Sequence, residues 1–149
     1  MSFRHGPILA LLTLLFFFRV LGQWLVAFLD VSWLPAMEQW YSGLIPYPIL
    51  LAIQLVMLVF MVKTSIDISR GGGFFARRRP RWSRFLVNFS VVYAAAMVLR
   101  YVLTMIFRPE MRWLGGTIPI FFHYVLAAFI FTWGRFHSPG TTFARVEDA

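Results

Sequence analysis

The sequence predicts an all-α membrane protein of four transmembrane helices, arranged as two hairpins of the same orientation. Three observations carry that prediction. Of 149 residues, 60% are hydrophobic and only 13% charged, where soluble domains carry about a quarter, and the mean hydropathy is +0.72. The apolar residues gather in four runs long enough to cross a bilayer. The basic residues gather between the second run and the third.

The runs are 7–29, 46–62, 85–107 and 118–133. Crossing the hydrocarbon core takes about 20 helical residues, with a usual range of about 17–25. The odd-numbered runs are comfortably long. The even-numbered ones sit at the short end, as if they borrow flanking residues or lie where the bilayer is thin. A single four-helix domain over residues 1–149 is expected. Arg4 and His5 ahead of the first run suggest a cleaved leader, but Arg19 closes the leader-like stretch and no small-x-small site follows. A retained helix is therefore expected. The chain has no cysteine, which excludes a disulfide framework, a thiolate metal site and thiol redox chemistry.

Orientation follows from the connections. The segment 63–84 holds Lys63, Arg70, Arg77, Arg78, Arg79, Arg81 and Arg84 against Asp67 alone. The other two connections hold Asp30 and Glu38, then Arg108, Glu110 and Arg112. Short loops rich in Lys and Arg stay cytoplasmic, so both termini are expected in the cytoplasm and the chain in a cytoplasmic (inner) membrane. The formal net charge of +8 then needs no nucleic-acid partner. The Arg77–Arg78–Arg79 cluster sets topology and meets anionic headgroups, at about 1 kcal/mol per basic residue. On the outer side, Trp24, Trp33, Trp40, Tyr41, Tyr47 and Trp113 suit an interfacial belt.

An internal repeat organises the hairpins. The stretch from Pro35 to Pro46 and the stretch from Pro109 to Pro119 both fit P-x-M-x(1–2)-W-x-[SG]-G-x-I-P. Proline suits the first position of a short helix, and Gly43 or Gly116 can close one in a left-handed conformation. Pro46 and Pro119 then stand in the first turn of the next span, where a missing N–H costs nothing. Each outer loop is thus expected to form a short interfacial helix. More weakly, Arg19 and Arg100 each have a polar residue four positions on, Gln23 and Thr104. Two such hairpins imply a pseudo-twofold axis along the membrane normal, with a binding site between the halves. The plain counter-reading is that tight outer turns favour Pro, Gly and Trp in any case.

Ionisable residues within a bilayer usually face the protein interior or a wet cavity. Here they are Arg19, Arg100 and His123, accompanied by Gln23, Gln54, Asn88, Tyr93, Thr104 and Tyr124. Arg100 and His123 both fall roughly 10 Å below the outer boundary at about 1.5 Å per helical residue. Gln23 and Gln54 lie at similar depth, so the set gathers in the outer half. The spans lack Asp and Glu, so the two guanidinium groups need anions from elsewhere. Glu38 is the best internal donor, followed by Asp30 and Glu110. Two readings of these cations stand. One is an ion-paired core that holds the hairpins in register. The other is a pocket of Arg19, Gln23, Glu38, Gln54, Arg100 and His123 for an anionic amphiphile, which arginine's planar fork would grip.

Catalytic, metal and cofactor signatures are missing. The chain has no H-E-x-x-H, G-x-S-x-G or phosphate loop, and Gly71-Gly72-Gly73 reads as a flexible joint. His123 alone cannot form a bis-histidine haem site, and His5 with His137 sit at wet helix ends. The primary expectation is a membrane binding or scaffold protein that contacts membrane lipids through this pocket. An accessory subunit of a larger membrane complex, with protein partners or a second copy, is the alternative. A lipid-modifying enzyme using Glu38, His123 and the arginines is the second alternative.

Overall fold

A computed structural model describes residues 5–40, 45–107 and 117–138. It is all-helical, with α1 (His5–Leu29), α2 (Met37–Trp40), α3 (Tyr47–Arg70), α4 (Pro80–Phe107) and α5 (Thr117–His137). Four of these, all but α2, are long and apolar enough to cross a membrane.

The helix ends follow from local chemistry. Beyond Leu29, Asp30 takes a left-handed backbone (φ 46°), which a short polar side chain tolerates better than most. Pro46 caps α3 from an extended conformation, and a proline stands in its first turn, where no N–H is needed. Gly71 ends α3 at φ 66°. The N–H groups of Gly71 and Gly72 return to the carbonyls of Ile68 and Asp67 at 3.2 and 3.1 Å, a left-handed glycine stop. Pro80 opens α4.

All four long helices run past the apolar segments that predict them, α3 by the most. The third helix continues through Lys63 to Arg70 because that stretch has its own packing: Thr64, Ser65, Asp67 and Ile68 are buried, and Lys63 pairs with Asp67 one turn on. The fourth begins at Pro80 instead of 85. The basic connection therefore shrinks to residues 71–79. It is folded onto the helices. The Asp67 carboxylate accepts the Phe75 N–H at 3.2 Å, and the Phe75 ring packs edge-on against Phe60 and Trp133. Arg78 and Arg79 lie over the rings of Phe136 and Phe74, at 5.4 and 4.7 Å.

The first and fifth helices form the centre. On α1 pack α3 and α5, while α4 packs on α5, and the single turn of α2 folds back against α1 and α5. The core joins Leu9, Phe16 and Val20 of α1, Met61 and Ile68 of α3, and Phe129 and Phe136 of α5. Where the surroundings are apolar too, association rests on close approach and interhelical hydrogen bonds. Gly6 admits Ser69 so closely that an added Cβ would stand 2.6 Å from its hydroxyl oxygen. Gly134 admits Leu86 and the Val87 backbone in the same way, at 3.0 and 3.1 Å. Two turns along α1 from Gly6, Thr13 donates to the Leu9 carbonyl at 2.7 Å and lies 3.0 Å from the Ser65 hydroxyl. With its proton engaged, Thr13 accepts from Ser65. Thr13→Val keeps the shape and removes this link. The expected loss is about 0.6 kcal/mol, the usual worth of an interhelical hydrogen bond in a membrane protein. Unfolding in mixed detergent checks it, and adding Ser65→Ala should cost little more.

Candidate functional site

The site grows from one turn of α1. Arg19 and Gln23, four residues apart, share a face, and both are buried. Arg19 Nη1 donates to Gln23 Oε1 at 3.1 Å. Gln54 of α3 donates its Nε2 to the same oxygen at 3.0 Å. The guanidinium can only donate, so it dictates which end of the Gln23 amide faces it, and through Gln23 which end of Gln54 does. Gln54 Oε1 and Gln23 Nε2 are left buried without partners.

The second anchor is Trp40, the last residue of α2. Its carbonyl accepts from Arg19 Nη2 at 3.4 Å, and its indole N–H donates to the Pro35 carbonyl at 2.8 Å. Its ring closes on Gly22, where an added Cβ would stand 2.7 Å from Trp40 Cη2. Glycine is required here by space. The Arg19 guanidinium also lies 5.5 Å from the Phe122 ring centre of α5, within cation–π range.

The facing half comes from α4 and α5. Tyr93 ends a run of stacked rings, Phe85, Phe89 and Tyr93, at successive turns of α4. Its hydroxyl pairs with His123 Nδ1 across to α5. Arg100 lies two turns further along α4 and is half-buried. The Thr104 hydroxyl, one turn on, donates to the Arg100 carbonyl at 2.9 Å, so it caps its own helix and leaves the guanidinium alone.

A cavity of about 320 Å³ lies among these residues, with Arg19, Trp40, Gln54, Tyr93, Arg100, Phe122 and His123 in its wall. Four of the six sequence-predicted site residues, Arg19, Gln54, Arg100 and His123, are thus brought together. Gln23 stands behind the wall, fully buried, and orients Arg19 and Gln54. Glu38 is not brought to the site. It is exposed, and the reason is geometric: α2 is one turn long, Trp40 turns inward, and a residue two positions earlier points about 200° away. Its expected part as counter-ion, or as acid with His123, has no support. Among the described residues, the only ion pair is Lys63 with Asp67, and no carboxylate pairs with Arg19 or Arg100.

Sequence reasoning placed Trp40 in an interfacial belt and missed its part in the wall. Gly22, beside Gln23, was the available signal. The repeat falls largely outside the described residues, since 41–44 and 108–116 include Gly43, Glu110, Trp113 and Gly116. At the other end of the helices, His137 Nδ1 accepts the Arg79 N–H at 3.3 Å, and His5 meets Phe136 edge-on. Among the described residues no cluster of three or more His, Cys, Asp or Glu side chains could hold a metal ion. No family model matches the chain, and neither a curated protein nor a solved structure is detectably similar to it.

Proposed function

We propose that the protein is an integral membrane binding protein whose cavity holds the anionic headgroup of an amphiphile, with the apolar tail in the surrounding lipid. One observation carries the reading. Arg19 and Arg100, from different helices, line the same cavity, and no carboxylate among the described residues pairs with either. Buried cations without anions are costly, and guanidinium forks match carboxylate or phosphate. The volume, about 320 Å³, falls at the small end of ligand sites, roughly 300–1,000 Å³. It suits a headgroup better than a whole lipid.

The helix packing supports two hairpins of one orientation, α1 with α3 and α4 with α5. A twofold pair of hairpins has two equivalent seams. One, between α1 and α5, is closely packed. At the other, α3 and α4 line the cavity together with α1 and α5, and a tail leaves there. The basic connection and both termini face the cytoplasm in this reading. Trp40 then belongs to an interfacial turn on the outer side, and the headgroup comes from the outer leaflet of an inner membrane.

Arg100 makes no side-chain hydrogen bond or ion pair among the described residues, so Arg100→Leu is the clean test. Native mass spectrometry of wild type in mild detergent should show a retained anionic lipid. The variant should fold equally well and lose it. An unchanged lipid complement in Arg100→Leu would sink the proposal.

A further inference from the structure

Charge balance narrows the ligand. Resting on the anionic-headgroup reading above, we infer that the cavity takes a phosphomonoester dianion carried on an apolar tail, in preference to a carboxylate or a phosphodiester.

Both guanidinium groups are permanently charged, so the wall carries two fixed positive charges. The described acids lie elsewhere. Asp67 is engaged by Lys63 and the Phe75 N–H at the far end of α3, and Asp30 and Glu38 are exposed. A carboxylate or phosphodiester monoanion would leave one charge unbalanced among Trp40, Phe122 and the other apolar side chains of the wall, a costly arrangement away from water. A phosphomonoester carries close to two negative charges at neutral pH. It closes the balance.

The donors agree with the charge. Arg19 reaches in from α1, with Nη1 and Nη2 already steadied by Gln23 and the Trp40 carbonyl. Arg100 brings from α4 a fork that no side chain among the described residues engages. On α5, His123 Nδ1 is held by the Tyr93 hydroxyl from α4. With that nitrogen accepting, the neutral ring carries its proton on Nε2, which has no partner among the described residues. Three donors from three helices suit the three terminal oxygens of a monoester. A carboxylate or a diester offers two.

The test is a competition in mild detergent, read by native mass spectrometry. Delipidated wild type and Arg100→Leu are each titrated with dioleoyl phosphatidic acid, dioleoyl phosphatidylglycerol and oleate, with inorganic phosphate as a competitor. Wild type should prefer phosphatidic acid by about tenfold or more, the worth of one hydrogen bond to a charged group. Arg100→Leu lowers the wall to one positive charge and should abolish the preference. His123→Phe, which deletes a donor and keeps both cations, should weaken phosphatidic acid more than oleate. Equal retention of all three lipids, lost together in Arg100→Leu, would overturn the monoester inference while leaving the anionic-headgroup reading intact. Retention of none of them in an Arg100-dependent way would overturn both. Displacement of phosphatidic acid by millimolar inorganic phosphate would show that no tail is required, and the inference would fall.

Discussion

Replacing Gly22 with leucine is expected to destabilise the protein by about 1–3 kcal/mol, the usual cost of overpacking a close contact, and to empty the site of lipid. An added Cβ would stand 2.7 Å from Trp40 Cη2 and 3.3 Å from Cζ3, and leucine adds more atoms in the same direction. The indole cannot retreat without loss. Its N–H is held by the Pro35 carbonyl and its own carbonyl by Arg19. Displacing Trp40 therefore removes part of the cavity wall and one support of Arg19 together. Thermal unfolding in detergent, paired with lipid analysis, measures both effects. Gly72 has nothing within 4 Å of an added Cβ, so Gly72→Ala should change neither and serves as the control. A Gly22→Leu protein as stable as wild type would mean that Trp40 is not seated on α1.

Arg19→Leu should weaken headgroup retention by about ten- to a hundredfold, because a hydrogen bond to a charged group contributes roughly 1.5–3 kcal/mol. Its effect on stability should be smaller. The variant loses contacts to Gln23, Trp40 and Phe122, but it also removes a buried charge, and replacing such groups with apolar ones is often close to neutral. A net change within about 1 kcal/mol is expected on that ground. Arg19→Lys separates charge from shape, since an ammonium keeps the charge and lacks the planar fork. It should restore part of the binding. Large destabilisation in Arg19→Leu, full recovery in Arg19→Lys and no lipid in any form would assign Arg19 a purely structural part.

Some of this site was legible in the residues. Arg19 and Gln23 stand one helical turn apart, so their pairing follows from spacing. Arg100 and His123 sit at matching distances from the ends of their runs, which places them at one level. Their meeting in one cavity agrees with that estimate. The facing of short elements was not legible. Glu38 and Trp40 are two residues apart in a single turn, and which of them points inward depends on the gap at Gly22, on another helix. The extension of α3 through Asp67 was hidden for a similar reason. Lys63, Thr64 and Ser65 read as loop by hydropathy, yet Ser65 meets the hydroxyl of Thr13 and Asp67 accepts the N–H of Phe75.

Four membrane-length helices, the absence of thiol chemistry and the two cations without acids in their own spans were determined by sequence alone. Hydropathy and composition are properties of each segment taken singly, and they survive any packing. Neighbourhood is different. Residues facing lipid and residues facing another helix are both apolar, so periodicity does not reveal which helices touch. Only the tertiary structure decided that α5 packs against both α1 and α4 and that Arg19, Gln54, Arg100 and His123 line one cavity, because such neighbourhoods rest on side-chain fit between segments far apart in the chain.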